Sequence, residues 1–347
     1  MILNAYAVLD AFVTLLRLLV GVLLVGVSAS LWRKCGSSVA PVNRQLLEDR
    51  FYLLYLLAFL LLGLNVASWP LLYLLLQSYV PQWPGAMCIY GVTQVGVESS
   101  GVARFLPTLL TALQAAKPAL VFLIGAVVVL YIVNRRTPTA PLTNRILIGL
   151  VTVGLFAAAD AAVEAAYLVI PKKEEFPSVG CCTVALGITP RARGIGPRDM
   201  LIKDSRSWLY AAYYLVSVAM VLALASCAFS SRFHATLKSL ATMLVGALVS
   251  LPVVTVFLIE IAAPTLLHLP FHHCLYDLIP KVPESVVAIA LFIFGCFSVG
   301  WACVAGWLAD CEETRPFLHQ TIRGLVFMGL FGYLGSAAMI TIEMAIA

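Results

Sequence analysis

Long apolar runs constrain the fold of this chain more than any other sequence feature. Eight of them recur, each about 20 residues or longer, which is the length that spans the hydrocarbon core of a bilayer as a helix. A single segment in lipid satisfies its own backbone hydrogen bonds only as a helix. Charged residues make up 11% of the chain, well below the composition of soluble domains. We therefore predict an all-α polytopic integral membrane protein with spans at 9–32, 51–79, 118–134, 146–170, 208–229, 240–269, 286–308 and 325–347.

The basic residues indicate the orientation of the spans. The formal net charge is +5, but half of the lysines and arginines lie in the loops after spans one, three, five and seven, the pattern of cytoplasmic loops. The long loop 171–207 is also rich in charge, and long loops cross the membrane with little regard to it. We predict a multi-pass protein of a bacterial-type inner (plasma) membrane, with both termini outside and no nucleic-acid partner. The basic residues of the four loops are Arg33, Lys34, Arg44, Arg50, Arg135, Arg136, Arg145, Arg232, Lys238, Arg315 and Arg323.

A repeated motif divides the chain into two halves. Residues 84–92 and 270–278 both read Pro, three residues, Cys, an aliphatic residue, Tyr, any residue and an aliphatic residue. Each copy follows the second span of a four-span half, and that span is unusually long in both. We predict a duplicated chain, with halves 1–170 and 208–347 joined by the loop 171–207. Since each half has four spans, the two copies would run parallel rather than inverted.

Four cysteines fall in the predicted outside loops, and two adjacent histidines directly precede one of them, Cys274. Thiolate, thioether and imidazole ligands together favour copper(I), or zinc where no methionine ligates. We therefore predict an extracytoplasmic site that binds copper or zinc for transport or delivery, with a periplasmic metal chaperone as partner. Adjacent cysteines do not have zinc-knuckle spacing, so the ligands would come from different loops. The candidate ligands are Cys88, Cys181, Cys182, His272, His273 and Cys274.

Two other interpretations of these cysteines stay open. In the first, Cys88, Cys181, Cys182 and Cys274 are the catalytic thiols of a thiol–disulfide oxidoreductase that uses a quinone and a thioredoxin-like partner, although the chain has no C-x-x-C pair. In the second, they form structural disulfides in a non-catalytic membrane subunit, as an oxidising compartment permits. No Walker A sequence is present, so no nucleotide is expected. No opposed pair of histidines lies within the spans, so no haem is expected.

Ionisable residues inside the spans form a second candidate site, because burying them in lipid is costly and usually functional. Asp160 and Glu164 are four residues apart and share a helix face. Arg17 lies at a similar depth and is the natural ion-pair partner of Asp160. With Glu260, these residues would form an intramembrane relay, although Glu164 and Glu260 also suit the solvated headgroup boundary. Lys117 is predicted to snorkel to the interface, at the end of an interfacial helix over 105–117.

Overall fold

The computed structural model describes residues 4–36, 44–83, 86, 88–93, 95–96, 101–172, 206–230, 237–269 and 274–347. These residues are mostly helical and contain no β-strand. Eight of their helices have 21 or more residues. They are α1 (Ala5–Gly36), α2 (Arg44–Tyr79), α3 (Leu106–Arg135), α4 (Thr143–Val169), α5 (Arg206–Phe229), α6 (Leu237–Phe257), α7 (Pro283–Leu308) and α8 (Arg315–Ile346).

Each of these eight helices contributes a segment that is long and apolar enough to cross a membrane. The eight predicted spans and the all-α polytopic membrane fold are therefore confirmed. The sixth segment runs on from α6 through a π-helical turn, Leu258–Ala262, and a further helical turn to Leu266. Which ends of the helices face the cytoplasm stays a prediction from loop charge.

The third span differs from its prediction. Instead of an interfacial helix over 105–117 followed by a span from Pro118, α3 runs unbroken from Leu106 to Arg135 through Pro118. The residues before Pro118 include the fully buried Leu110 and Leu113, so this segment packs inside the protein instead of lying on a lipid surface. Proline in a helix interior removes a hydrogen bond, and tertiary packing of the preceding apolar face outweighs that loss here.

The chain divides into two compact units, Met1–Val179 and Gly180–Ala347, each with four of the long helices. In the first unit α1 contacts α2, α2 contacts α3, α3 contacts α4, and α4 closes the ring against α1. The second unit has the same ring through α5, α6, α7 and α8. Shared topology is what a duplication predicts, but any up-and-down bundle produces it. The duplication and the boundaries at 170 and 208 therefore stay predictions, and residues 173–205 lie outside the described ranges.

Glycines set the closest helix contacts in each unit. In the first, a Cβ atom on Gly154 of α4 would lie 2.8 Å from the carbonyl oxygen of Gly21 on α1. In the second, a Cβ on Gly332 of α8 would lie 2.7 Å from the backbone nitrogen and Cα of Gly295 on α7. Small residues let membrane helices approach closely and gain van der Waals contact. The α1–α4 and α7–α8 pairs are accordingly the most extensive helix contacts of their units.

The two units differ in what they bury. Among the described residues of the second unit, no Asp, Glu, Lys or Arg is buried. Its interior polar groups are neutral: Tyr333 lies with its hydroxyl 2.8 Å from Ser250 Oγ and 3.1 Å from Cys296 Sγ. The first unit, by contrast, buries acidic and basic side chains together. The candidate functional site is therefore built from the first unit.

Candidate ion site in the first unit

One face of α1 carries the first components of the site. Its buried positions recur every three or four residues, which is the spacing of a single helix face. Most are small or aliphatic, as expected for helix packing, but three consecutive ones are polar: Asp10, Thr14 and Arg17. Glycine follows at Gly21, where α4 approaches most closely. The same face therefore brings α4 near and directs polar groups towards it. The buried positions of this face are Ala7, Asp10, Thr14, Arg17, Gly21, Leu24, Ser28 and Leu31.

Arg17 pairs with two carboxylates of α4. Its Nη2 donates to Asp160 Oδ2, and its Nη1 donates to Glu164 Oε2 at 2.5 Å. All three side chains are fully buried. The predicted Arg17–Asp160 ion pair is thus confirmed. The planar guanidinium suits this role, because two of its nitrogens can bind different carboxylates at once.

Lys117 completes the set of ion pairs, and its predicted interfacial position is wrong. The side chain is fully buried, with Nζ 2.8 Å from Glu164 Oε1 and 3.9 Å from Asp160 Oδ2. Nζ also donates to Ser68 Oγ at 3.1 Å, while Asn65 Nδ2 donates to the Lys117 carbonyl oxygen at 3.3 Å. Because α3 continues through this region as a packed helix, Lys117 points into the bundle and pairs with Glu164 there.

Glu164 likewise lies inside the protein and not at a solvated headgroup boundary. Its side chain has no exposed surface and contacts both Arg17 and Lys117. Two cations on one carboxylate compensate for the loss of hydration that burial causes. The headgroup interpretation of Glu164 is therefore wrong, because α1 and α3 supply the partners that water would have supplied.

Asp10 is the third acid of this region. It is 1% exposed and interacts electrostatically with Glu164, Lys117 and Arg17. Neither of its carboxylate oxygens has a hydrogen-bond partner among the described residues. The buried hydroxyls of Thr14 and Tyr79 also lack one there. We call Asp10, Arg17, Lys117, Asp160 and Glu164 the charge cluster. It contains three acids and two bases.

Two tyrosines and a lysine lie at the end of the bundle nearest Asp10. Tyr79 on α2 and Tyr167 on α4 both interact with Asp10. Beyond the end of α4, the Lys172 ammonium lies 4.4 Å from the Tyr167 ring centroid and 5.7 Å from that of Tyr79, and it donates to the Tyr167 carbonyl oxygen at 2.7 Å. Burial lowers the pKa of Lys172 to about 8. This amine therefore titrates only slightly above neutral pH.

Three of the four residues of the predicted relay lie together: Arg17, Asp160 and Glu164 are in mutual contact. Glu260 belongs to the second unit, where it is half-buried in the π-helical turn. π-Helical turns recur at functional sites, but nothing in the described contacts assigns a task to this one. The relay function of all four residues stays a prediction.

The described residues include only two of the predicted metal or redox ligands. Cys88 precedes the short helix Ile89–Thr93, and Cys274 precedes the short helix Leu275–Lys281. Both are buried, and both are thiols. The Cys274 sulfur and a carboxylate oxygen of Asp277 lie within 4.8 Å of each other. The other candidates, Cys181, Cys182, His272 and His273, lie outside the described residues, so the disulfide, redox and metal interpretations stay predictions.

Sequence reasoning missed Asp10 and misplaced Lys117. Asp10 was overlooked because it lies in the first turns of an apolar run, where an acid is easily taken as a solvated helix end. The signal that identifies it is its spacing of seven residues from Arg17, which places both on one helix face. For Lys117 the sequence holds no comparable signal, since an adjacent proline indicates a helix start as readily as a kink.

No family model, curated protein or solved structure matches this chain. Its function is therefore inferred from the composition and geometry of the site.

Proposed function

We propose that this protein is a membrane transport protein whose first unit binds and releases protons at the charge cluster. The proposal rests on one observation: three acids and two bases, all at most 2% exposed, share the interior of a bundle of membrane-spanning helices. Ionisable residues at such depth are rare and mark ion pathways and proton relays. The coarser statement, a multi-pass helical membrane protein, is established by the eight spanning helices.

The unequal number of acids and bases favours proton exchange over a purely structural role. Burying an ion cluster that only holds helices together costs the least free energy when its charges cancel, because each uncompensated buried charge costs several kcal/mol. With three acids against two bases, one negative charge remains when all five groups are ionised. A single bound proton removes that charge.

Charge movement after a pH jump tests the proposal directly. Proteoliposomes adsorbed on a capacitive electrode are switched rapidly between buffers of different pH, and the transient current is recorded. We expect the unmodified protein to give a current whose amplitude follows the pH step. Glu164→Gln should reduce that current to the background of empty liposomes, because two acids and two bases then balance without an exchangeable proton.

The matched control is Glu312→Gln, which changes an exposed glutamate. We expect it to leave the current unchanged. Circular dichroism and thermal unfolding should verify that both variants are folded. If the folded Glu164→Gln variant gives the full current, or if the unmodified protein gives none, the cluster does not exchange protons and is only structural.

A soft-metal site in the outside loops is the second candidate function. It is supported by the Cys274 thiol within 4.8 Å of the Asp277 carboxylate, and by the presence of Cys88 as a thiol. The predicted ligands Cys181, Cys182, His272 and His273 would complete the coordination of copper or zinc. Proton exchange in the first unit would then accompany transport or delivery of the metal.

Copper(I) or zinc binding tests this candidate. Protein purified anaerobically under reducing conditions should bind copper(I) or zinc in near-equal molar amount, and Cys274→Ser should lose that binding. Cys311→Ser, which changes a half-buried cysteine elsewhere in the second unit, should retain it. Protein with intact thiols that binds neither metal would eliminate the metal function.

A further inference from the structure

The three acids of the charge cluster do not have equivalent partners. Asp160 and Glu164 each accept charged hydrogen bonds from Arg17, and Lys117 adds a second cation to Glu164. Such bonds stabilise the ionised form of a carboxyl group. Asp10 has none: both of its oxygens lack a hydrogen-bond partner among the described residues, although the side chain is 1% exposed. The ionised form of Asp10 is therefore the least stabilised of the three.

Other buried polar groups near Asp10 also lack hydrogen-bond partners among the described residues. Thr14 lies one turn further along α1 on the same face, and Tyr79 approaches from α2. Both hydroxyls are buried without a hydrogen-bond partner among the described residues, like Asp10 itself. A carboxylic acid adds an O–H donor that a carboxylate lacks. One proton on Asp10 thus removes a buried charge that no hydrogen bond among the described residues stabilises.

Charges on three of the four helices act on Asp10. Glu164 on α4 is an acid, whereas Lys117 on α3 and Arg17 on α1 are bases, and all three interact electrostatically with Asp10. The tyrosines Tyr79 on α2 and Tyr167 on α4 are also within electrostatic range. Because the acid and the two bases act on Asp10 in opposite directions, they do not together fix its side chain in one protonation state.

Asp10 also lies close to an end of the bundle, five residues or about 8 Å along the helix axis from the start of α1. Glu164 lies equally close to that end, five residues before the end of α4 at Val169. At the same end, Asn4 Nδ2 donates to Ser78 Oγ at 2.7 Å, which joins the start of α1 to the end of α2. Lys172 stacks over Tyr79 and Tyr167 there. Water at this end is therefore the nearest source of protons.

We infer that Asp10 is the residue that carries the exchangeable proton of the charge cluster, and that it exchanges this proton with water at the end of the bundle where α1 begins and α2 and α4 end. The inference rests on the proposed function. It adds which residue binds the proton and from which end of the bundle the proton enters. On protonation, hydronium transfers its proton to an Asp10 carboxylate oxygen. An O–H bond forms there, and a neutral water molecule is left. Asp160 and Glu164 keep their charges throughout and hold Arg17 and Lys117 in place.

Infrared difference spectroscopy of the protein in lipid films can identify the proton carrier. A buried carboxylic acid gives a narrow carbonyl band distinct from those of solvated surface acids. We expect this band to appear as the film is acidified. It should disappear in Asp10→Asn, which keeps the side-chain shape. It should change frequency in Asp10→Glu, which keeps the acid, and stay at its original frequency in Glu164→Asp, the matched exchange at the neighbouring acid.

The other possible results distinguish failure of the Asp10 assignment from failure of the proposed proton exchange. If the band shifts in Glu164→Asp but not in Asp10→Glu, the proton resides on Glu164. The inference about Asp10 is then wrong, while proton exchange by the cluster stands. If the folded protein shows no buried carboxylic acid at any pH and gives no current after a pH jump, the proposed function itself fails. Because Asp10→Glu keeps both acid and charge, it gives an answer even where Asp10→Asn does not fold.

Discussion

Replacing Arg17 with methionine is expected to destabilise the protein by about 3–5 kcal/mol, the effect of removing one partner from a buried ion pair. Arg17 bonds to Asp160 and Glu164 at once, and none of the three side chains is exposed. Its loss leaves Lys117 as the only cation for two carboxylates inside a membrane bundle. Methionine fills a similar volume, so the effect reports charge and not a cavity. Thermal unfolding and SDS-denaturation midpoints in detergent micelles measure it.

Two variants separate the charge effect from helix disruption. Arg33→Met changes an exposed arginine near the end of the same helix and should shift stability by no more than about 0.5 kcal/mol. In Arg17→Met/Asp160→Leu the remaining Lys117–Glu164 pair is balanced, so the double variant should be more stable than Arg17→Met alone. A double variant as unstable as the sum of both single substitutions would show that the ion pairs are not coupled.

Replacing Gly332 with alanine should destabilise the second unit by about 1–3 kcal/mol, the usual penalty for overpacking. The added Cβ would lie 2.7 Å from three backbone atoms, namely the nitrogen and Cα of Gly295 and the carbonyl oxygen of Leu291. Backbone atoms cannot rotate away as a flexible side chain can, so α7 and α8 must separate. The measurement is the same pair of denaturation midpoints in detergent.

Gly324→Ala is the matched control for this substitution. It lies on the same helix, and a Cβ there meets no atom within 4 Å. Because alanine has a higher helix propensity than glycine, by about 1 kcal/mol, Gly324→Ala should be neutral or stabilising. Equal destabilisation by the two alanines would mean that α8 does not need the close approach at Gly332.

The helices of this protein can be predicted from local sequence, because each depends on the length and hydrophobicity of its own segment. An apolar segment of sufficient length in lipid has no alternative to the helix, and all eight segments were predicted on that basis. The third segment shows where local sequence is not sufficient for the prediction. Pro118 looks like a helix start, yet α3 continues through it because Leu110 and Leu113 are buried by neighbouring helices. Those neighbours cannot be identified from residues 105–118 alone.

The candidate site was predictable only in part, for the same reason. The depth and spacing of Asp160 and Glu164 place both on one face, and Arg17 at matching depth gives the ion pair. The burial of Lys117 depends on α3 packing as one helix, so it could not be read from the sequence. Asp10 shares a helix face with Arg17, but only the packed structure leaves its carboxylate buried without a hydrogen-bond donor among the described residues.

The sequence by itself determined that this chain is a membrane protein of eight helices, because hydrophobic length and backbone hydrogen bonding in lipid admit one solution. It also placed an arginine and two acids at one depth. Only the tertiary structure decided that Lys117 and Asp10 join them, giving the three acids and two bases of the charge cluster. The reason is physical: whether a charge is solvated or paired depends on which helices surround it, and sequence spacing within one helix does not contain that information.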